Sequence, residues 1–464
     1  MLRLPMDRLL LHLFQIVVIT LTSNRATVYA CPPERQMKIA MRKKYIPLCI
    51  AIVFSFCLST PALAQYEMAS SAALQGSDTP PRRNDLQTNR RDDAQPHDDW
   101  QGSFAVKGTD TRLRIGGFLE LDVIHDTDAI KSKGQFINST IVTRGATKKD
   151  GSDGQTNFSI SPSRLYVETR TPIDQKRVKT FLSIDMYGDE LGVEAEPRLR
   201  QAYVDFSDIL FGGDLLIGQA WSTTTDLESA PDVLDFRGVD NQFGSLVPQV
   251  RWTREVANGV RLMLAAETAG NHIIEGADSL TRLPDIVLAG TWDSHTFNLM
   301  ASLLATDLRA SFNNGPVESA TGFGGSLSGK VKLPFGSYTN DFLFSVTYGK
   351  GIGSHYNNAH ADAVYDASSS SLEVISNYGV TLGYVHGWSA RLKSSFTYCC
   401  IEIDNQDAQA ADSLQATEYS SANLVWDINS HWMIGVEGLW GKRKDKDDTR
   451  GTDYRMQFTS RFTF

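Results

Sequence analysis

The feature that most constrains the fold is a strict alternation of apolar and polar residues, which is clearest at the end of the chain. In residues 453–464, five apolar side chains share one parity and three polar side chains share the other: Tyr454, Met456, Phe458, Phe462 and Phe464 against Arg455, Gln457 and Arg461. Because successive side chains of a β-strand point to opposite faces, this stretch is predicted to be a strand with one apolar and one polar face.

The same alternation recurs along most of the chain. In the first run, Leu113 and Leu119 lie on one face and Arg114 and Glu120 on the other; charges of both signs suit a water-filled interior as well as an outer surface. Sixteen such runs are predicted, at residues 111–123, 163–171, 177–187, 198–206, 213–221, 248–256, 259–268, 284–292, 295–305, 320–333, 340–349, 372–384, 388–400, 417–428, 432–442 and 453–464.

The connections between these runs alternate between short and long. Short turns are predicted at 171–176, 207–212 and 334–339, and longer polar loops at 126–162, 222–247, 350–371 and 401–416. No apolar run reaches the length of about 18 residues that a membrane-spanning helix needs. An even set of alternating strands with unequal connections therefore predicts an all-β fold, a 16-stranded antiparallel transmembrane β-barrel. Aromatic residues near strand ends would form its interface girdles: Tyr203, Phe206, Trp252, Trp292, Trp388, Trp426, Trp432 and Trp440.

The first part of the chain has the features of a secretory signal. An apolar stretch at 45–58 follows three basic residues and precedes Ala62-Leu63-Ala64, so a signal peptide is predicted over 37–64 with cleavage after Ala64. Residues 1–36 are interpreted as an upstream over-extension of the coding sequence, with an additional membrane anchor as the alternative. Residues 65–104 are polar and predicted to be a flexible periplasmic leader, and the barrel is assigned to 105–464.

Charge and cysteine content exclude several classes of function. Removing residues 1–64 takes away eight basic and two acidic residues. The remaining chain has 37 basic and 52 acidic residues, a net charge of −15. Such a balance argues against nucleic acid as a partner. Only the adjacent Cys399 and Cys400 follow the predicted cleavage site, and they form neither a disulfide scaffold nor a metal-ligand spacing. No metal, cofactor or catalytic residue is predicted.

One long connection stands out, the acidic and turn-rich stretch from Trp221 to Leu246. A loop of this length inside a compact chain is usually functional or disordered. It is predicted to fold into the mouth of the barrel as a constriction loop and to narrow a pore.

Four short motifs occur in an order that is similar to a known family. They are 112–118 (RLRIGGF), 163–168 (SRLYVE), 200–204 (RQAYV) and 218–222 (GQAWS). Through them, most of residues 105–464 resembles the trimeric sixteen-stranded porins and, within these, the DcaP-like family. The resemblance implies a homotrimer in the outer membrane of a Gram-negative bacterium, in contact with outer-membrane lipid and lipopolysaccharide. The terminal Phe464 resembles the signal that is read by the outer-membrane assembly machinery.

The resemblance also implies a set of pore-lining residues. General porins line the wall that faces the constriction loop with arginines, and the matching candidates are Arg164, Arg198, Arg200 and Arg251. Tyr166, Glu168 and Arg170 share the face of Arg164 and are predicted to line the pore as well. In the fourth strand, the apolar Ala202, Val204 and Phe206 have the parity of Arg200, so its inward face is ambiguous. The acids expected on the loop, opposite the arginines, are Asp226, Glu228, Asp232 and Asp235.

The expected function is passive diffusion of small hydrophilic solutes. The arginines stay charged at any relevant pH and offer five donors each, so a row of them can guide carboxylates without proton chemistry. The resemblance to the DcaP-like family implies small anionic solutes such as dicarboxylates. Two alternatives stay open, an outer-membrane lipid-modifying enzyme and a secreted soluble β binding protein. The enzyme would need a nucleophile and a base on the outer wall of the barrel, and the sequence offers no paired candidates.

Overall fold

The computed structural model describes residues 100–464 apart from 175, 190, 193, 269–271 and 314. The upstream stretch, the predicted signal peptide and residues 65–99 of the leader lie outside the described residues. The main sheet contains sixteen long antiparallel strands: β1 Arg112–Asp126, β2 Arg164–Ile173, β3 Lys176–Asp185, β4 Arg198–Leu210, β5 Gly213–Trp221, β6 Leu246–Ala257, β7 Val260–Glu267, β8 Asp285–Asp293, β9 Phe297–Ser311, β10 Val317–Lys332, β11 Asn340–Lys350, β12 Ser376–Gly387, β13 Leu392–Asp404, β14 Leu414–Asp427, β15 Trp432–Asp445 and β16 Arg450–Thr463.

The sheet closes on itself. Each strand pairs with the next along the chain, and β16 pairs with β1 from Phe118↔Thr463 to Asp126↔Arg455. Closure leaves no unpaired strand edge, which is what a bilayer demands of a β structure. The predicted 16-stranded barrel is confirmed, and each of the sixteen predicted runs overlaps one strand.

Buried and exposed residues alternate along the strands, and this alternation shows which face of each strand points into the barrel. In β16, Arg455 is buried, while Met456 is 60% exposed and Tyr454 is 54% exposed. In β1, Glu120 is buried and its neighbour Leu119 is exposed. The apolar face therefore points out of the barrel and the charged face points into it. An apolar exterior of this extent is the surface of a membrane protein and not of a soluble one.

The connections differ between the two rims of the barrel. At the rim where β1 begins, the strands are joined by short turns, such as 211–212 and 258–259. At the other rim lie the long loops 127–163, 222–245 and 351–375, although 446–449 there is also short. We call these the short-turn rim and the long-loop rim. Among the described residues, no helix is long and apolar enough to cross a membrane.

The long loops fold inward instead of projecting from the rim. One buried cluster joins Phe243, Ile352 and Tyr356 from two loops to inward-facing wall residues such as Val287. A second cluster contains Ile130, Phe136, Ile141 and Val239 from loops and Cys399, Tyr419 and Leu439 from the wall. The long-loop half of the interior is thus packed by loop side chains, and this packing fixes the position of the loop 222–245.

Candidate pore site

The loop 222–245 lies against the inward faces of strands far from its own. Leaving β5, it contacts β10 through Asp226 and Glu228, and β13 through Asp232. The backbone N–H groups of Leu234 and Asp235 then donate to Glu437 on β15, at 2.9 and 2.8 Å. Because β13 is eight strands away from β5 in a ring of sixteen, these contacts carry the loop across the interior.

Each of the four predicted loop acids has a partner on the wall or on another loop: Asp226 accepts from Ser328 at 2.8 Å, Glu228 from Lys330 at 2.9 Å, Asp232 from Lys393 at 2.5 Å, and Asp235 from the backbone N–H of Phe136 at 2.9 Å. Burial raises the pKa of Asp226 above its ordinary value, against the hydrogen bond from Ser328. These contacts attach the loop to the wall. Three of the acids face lysines or a serine, and Asp235 lies 3.9 Å from Arg455 on β16, which is not among the arginines that the sequence suggested.

Two of the predicted arginines share one buried carboxylate. Asp185 at the end of β3 accepts from Arg198 at 2.9 and 3.0 Å and from Arg200 at 2.8 Å. The loop reaches this pair through Phe236, whose ring centroid lies 5.2 Å from the Cζ atom of Arg200 and 5.9 Å from that of Arg198. The loop and these two arginines therefore meet through an aromatic ring.

A β-bulge resolves the ambiguity of the fourth strand. Gln201 pairs with Ser183 and Leu199 pairs with Ile184, so Arg200 is an extra residue in β4. An extra residue reverses the facing of all that follow it. Arg200 and Gln201 are consequently both buried, and Tyr203 turns inward to stack on Phe181. The assignment of Tyr203 to an interface girdle was wrong for this reason.

The remaining two arginines lie on either side of this pair. Arg164 on β2 is buried, with its guanidinium 5.4 Å from the ring centroid of Phe118. Arg251 on β6 donates to the backbone carbonyl of Trp221 at 3.3 Å, and the Trp221 ring lies 5.7 Å from the Cζ atom of Arg200. Trp221 thus links Arg200 to Arg251 at the point where the loop leaves β5.

Tyr166, Glu168 and Arg170 all face inward, as their shared parity with Arg164 predicts. Tyr166 stacks on Phe181, and Phe181 on Tyr203, with 5.6 Å between the ring centroids in each pair. Glu168 accepts from Arg170 at 2.9 Å and from Arg114 on β1 at 3.3 Å. Nearer the short-turn rim than the stacked rings, the wall therefore carries a second pair of arginines.

Sequence reasoning missed several residues of this site. Asp185, Phe236 and Glu437 organise the loop and the arginines, and Arg114 belongs to the second pair. Arg114 could have been found, because its parity places it on the charged face of the first strand. Asp185 meets Arg198 across the neighbouring strands β3 and β4. Phe236 and Glu437 meet their partners only when the loop crosses the closed barrel, and no local pattern marks them.

A separate buried cluster of two histidines and two aspartates joins the loops 268–284 and 351–375. His355 approaches Asp285 at 2.9 Å, and His272 lies 3.7 Å from Asp285 and 3.5 Å from Asp362. Burial lowers the pKa of His355, but the hydrogen bond and charge of Asp285, with Asp362 and Glu267 nearby, raise it above its ordinary value overall. This group holds the loops together at the long-loop rim.

Comparison with known families identifies the barrel region. The family model described as "DcaP outer membrane protein" matches residues 103–464. No curated protein matches the sequence.

Several solved structures are similar to this chain. The outer membrane channel DcaP of Acinetobacter baumannii is similar with a TM-score of 0.68 and 19% identity, over 78% of this chain and all of that one. An anion-selective porin from Comamonas acidovorans is similar with a TM-score of 0.49 and 12% identity, over 76% of this chain and all of that one. A loop-deletion mutant of the outer membrane protein OmpT of Vibrio cholerae gives the same four values.

Proposed function

The chain belongs to the DcaP outer membrane protein family, a family of Gram-negative outer-membrane channels, and from that premise we propose that it admits small anionic solutes such as dicarboxylates. The observation that carries this proposal is the charge of the inward wall on three adjacent strands. Six basic residues on β2, β3 and β4 have inward parity, against three acidic ones: Arg164, Arg170, Arg177, Lys179, Arg198 and Arg200 against Glu168, Asp185 and Asp205.

The size of the attraction suits a diffusion channel. Two unit charges ~10 Å apart in water attract by ~0.4 kcal/mol, so an excess of three positive charges would attract a dianion by ~2.5 kcal/mol. Salt at physiological strength screens most of this. Such a wall enriches anions at its surface and still lets them leave, as conduction requires.

We expect the positive charge of this local wall to decide the solute selectivity, and not the negative net charge of the mature chain. Its negative balance would favour cations if it were spread evenly, but the five acids of the loop 222–245 all have partners. Four have partners on the wall, namely Asp226, Glu228, Asp232 and Asp235, and Asp240 accepts a hydrogen bond from Asn138. Arginine also presents a planar fork that matches a carboxylate with two hydrogen bonds. We therefore assign Arg164, Arg198, Arg200 and Arg251 to solute guidance and the loop acids to loop attachment.

We also propose a homotrimer in contact with lipid and lipopolysaccharide, assembled through recognition of the terminal strand. The backbone of Phe464 pairs with Gly117 while its side chain is 53% exposed. That exposure leaves the ring accessible to the assembly machinery before the barrel enters the bilayer.

The test is permeation of three four-carbon solutes that differ in charge. Liposomes that contain the protein should swell faster in succinate than in uncharged erythritol, and faster in erythritol than in 1,4-diaminobutane. Arg251→Gln should reduce the succinate rate about twofold, because it removes one positive charge from the wall, and the hydrogen bond that it breaks goes to a backbone carbonyl. Arg254→Gln, on the opposite face of β6 and exposed, is the matched control. Equal rates for succinate and 1,4-diaminobutane would refute the proposal.

A further inference from the structure

A cavity lies at the long-loop rim, beside the ends of β13, β14 and β15. Its volume is about 230 Å³, which is enough for several waters and smaller than the usual site of a drug-sized ligand. Ile273 and Ala359 in its lining are exposed, whereas His360 and Ile403 are buried. The cavity therefore runs from an exposed mouth to a buried floor, and a small solute reaches it without passing through the pore.

The floor of the cavity presents a hydrogen-bond acceptor. His360 is 6% exposed, and its Nδ1 atom donates to the backbone carbonyl of Asn358 at 3.1 Å. Burial lowers the pKa of His360, against that hydrogen bond and the charge of Asp362. The ring is therefore neutral, and its Nε2 atom carries a lone pair. Nε2 has no hydrogen-bond partner among the described residues, so a ligand that donates a hydrogen bond would satisfy it.

The cavity also carries a carboxylate whose partners are neutral. Glu275 accepts from the side-chain amide of Gln409 at 3.0 Å and from the hydroxyl of Ser413 at 2.9 Å. In the part of the chain that the structure describes, no basic side chain forms an ion pair with Glu275. Its negative charge is therefore left for a ligand to neutralise.

The guanidinium of Arg443, which also lines the cavity, is already paired. Its Nε atom donates to the buried carboxylate of Asp445 at 2.8 Å, and its two other nitrogens donate to the backbone carbonyls of Ser139 and Asp412. The charges of Arg443 and Asp445 offset each other, so the lining as a whole favours a cation.

We propose that this cavity binds a small primary ammonium ion with an apolar body. The ammonium group would donate to the Nε2 atom of His360 and to the carboxylate of Glu275, while the body packs on Ile403 and Leu414. A calcium or magnesium ion suits the site poorly, because such ions need several oxygen ligands. The described residues contain no group of histidine, cysteine or acidic side chains that could hold a metal ion.

An occupied cavity should also hold the constriction loop in place. His360 belongs to the loop 351–375, whose Asn357 and Asn358 donate from their backbone N–H groups to the carbonyls of Gln242 and Asp240, at 2.9 and 3.1 Å. A ligand that needs this loop in its docked position stabilises the docked position. The inference does not rest on the proposed anion selectivity, since no arginine of the wall takes part in it.

The test is protection of the loop 351–375 from chymotrypsin in the full-length protein, embedded in liposomes. The probe is cyclohexylammonium chloride, and cyclohexanol is an uncharged probe of the same shape. At ten times its dissociation constant, cyclohexylammonium should slow the cleavage about 11-fold, because only the released loop is cut. Cyclohexanol at the same concentration should not slow it.

Three variants assign the protection to the cavity. Glu275→Gln removes the negative charge and should abolish the protection, and any inhibition of the protease itself would persist in this variant. Asp278→Asn changes an exposed acid of the same loop and should keep the protection in full. Ala359→Trp places a large side chain at the mouth and should also abolish the protection, which keeps the test valid if Glu275→Gln fails to assemble.

Three results would overturn the proposal: equal protection of the wild type and Glu275→Gln, equal protection by cyclohexanol, or no protection of the wild type by cyclohexylammonium. A cavity that holds only water gives the last of these. Failure of the proposed function is seen separately, in the swelling rates of succinate and erythritol, neither of which carries an ammonium group.

Discussion

The attachment of the loop 222–245 to the far wall depends most on Glu437. One of its oxygens accepts both backbone N–H groups of Leu234 and Asp235, and the other accepts from Asn423 at 3.1 Å. Glu437→Ala leaves two buried N–H groups without an acceptor, and each such group costs about 1–3 kcal/mol. The docked loop should therefore lose about 2–6 kcal/mol relative to a released one, which raises the released fraction at least ~30-fold.

The rate of trypsin cleavage within the loop measures this release directly. Arg237 is the only lysine or arginine between 222 and 245, and it is held by the carbonyl of Asn357. Cleavage after Arg237 in the liposome-embedded protein should be much faster for Glu437→Ala, while Glu437→Gln, which keeps one acceptor oxygen, should show a smaller increase. Glu255→Ala at the short-turn rim is the control. Equal cleavage rates for Glu437→Ala and Glu255→Ala would refute the anchoring role.

Three further predictions follow from buried contacts. Asp185→Asn deprives two arginines of their shared carboxylate; it should cost about 3–5 kcal/mol and lower the temperature at which the folded band disappears on SDS gels. Because the pKa of His355 is raised in the folded protein, its ion pair stabilises the loop 351–375 fully below pH ~6.5 and is lost as pH rises through the raised value. Chymotryptic cleavage of that loop should thus be faster at pH 8.5 than at pH 6, and His355→Asn should remove the difference. Gly379→Ala would put a Cβ 2.0 Å from the Oδ1 atom of Asn241; it should speed tryptic cleavage of the loop 222–245, whereas Gly290→Ala, with its nearest atom at 3.5 Å, should not.

The barrel could be predicted because each strand carries its own signal in its sequence. A strand that faces lipid on one side and water on the other must alternate, so β16 is visible in twelve residues of sequence. The strand ends were less visible. The predicted run 388–400 begins at Trp388, but the structure has a turn there, with Trp388 N–H bonded to the carbonyl of Leu392. An aromatic residue at the rim belongs to the girdle whether or not it lies in a strand.

The site could be predicted only in part. Parity correctly places Arg164, Tyr166, Glu168 and Arg170 on one inward face. It fails after Arg200, because this single extra residue reverses the facing of the rest of the strand and leaves no local mark in the sequence.

The partners of the loop acids could not be predicted from the sequence either. Lys330 and Lys393 are 102 and 161 residues away from the acids they bind. Which strand a loop reaches is decided by closure of the whole sheet, which sequence alternation does not encode.

If the arginine wall guides solutes as we propose, the pore selects anions. The most direct measurement is the reversal potential of the purified protein in a planar bilayer under a potassium chloride gradient, with and without succinate. We expect a reversal potential displaced towards the equilibrium potential of chloride, and a current that succinate reduces. A reversal potential displaced towards the equilibrium potential of potassium would contradict the anion-selective wall. The pore would then select cations, as the net negative charge of the whole chain suggests.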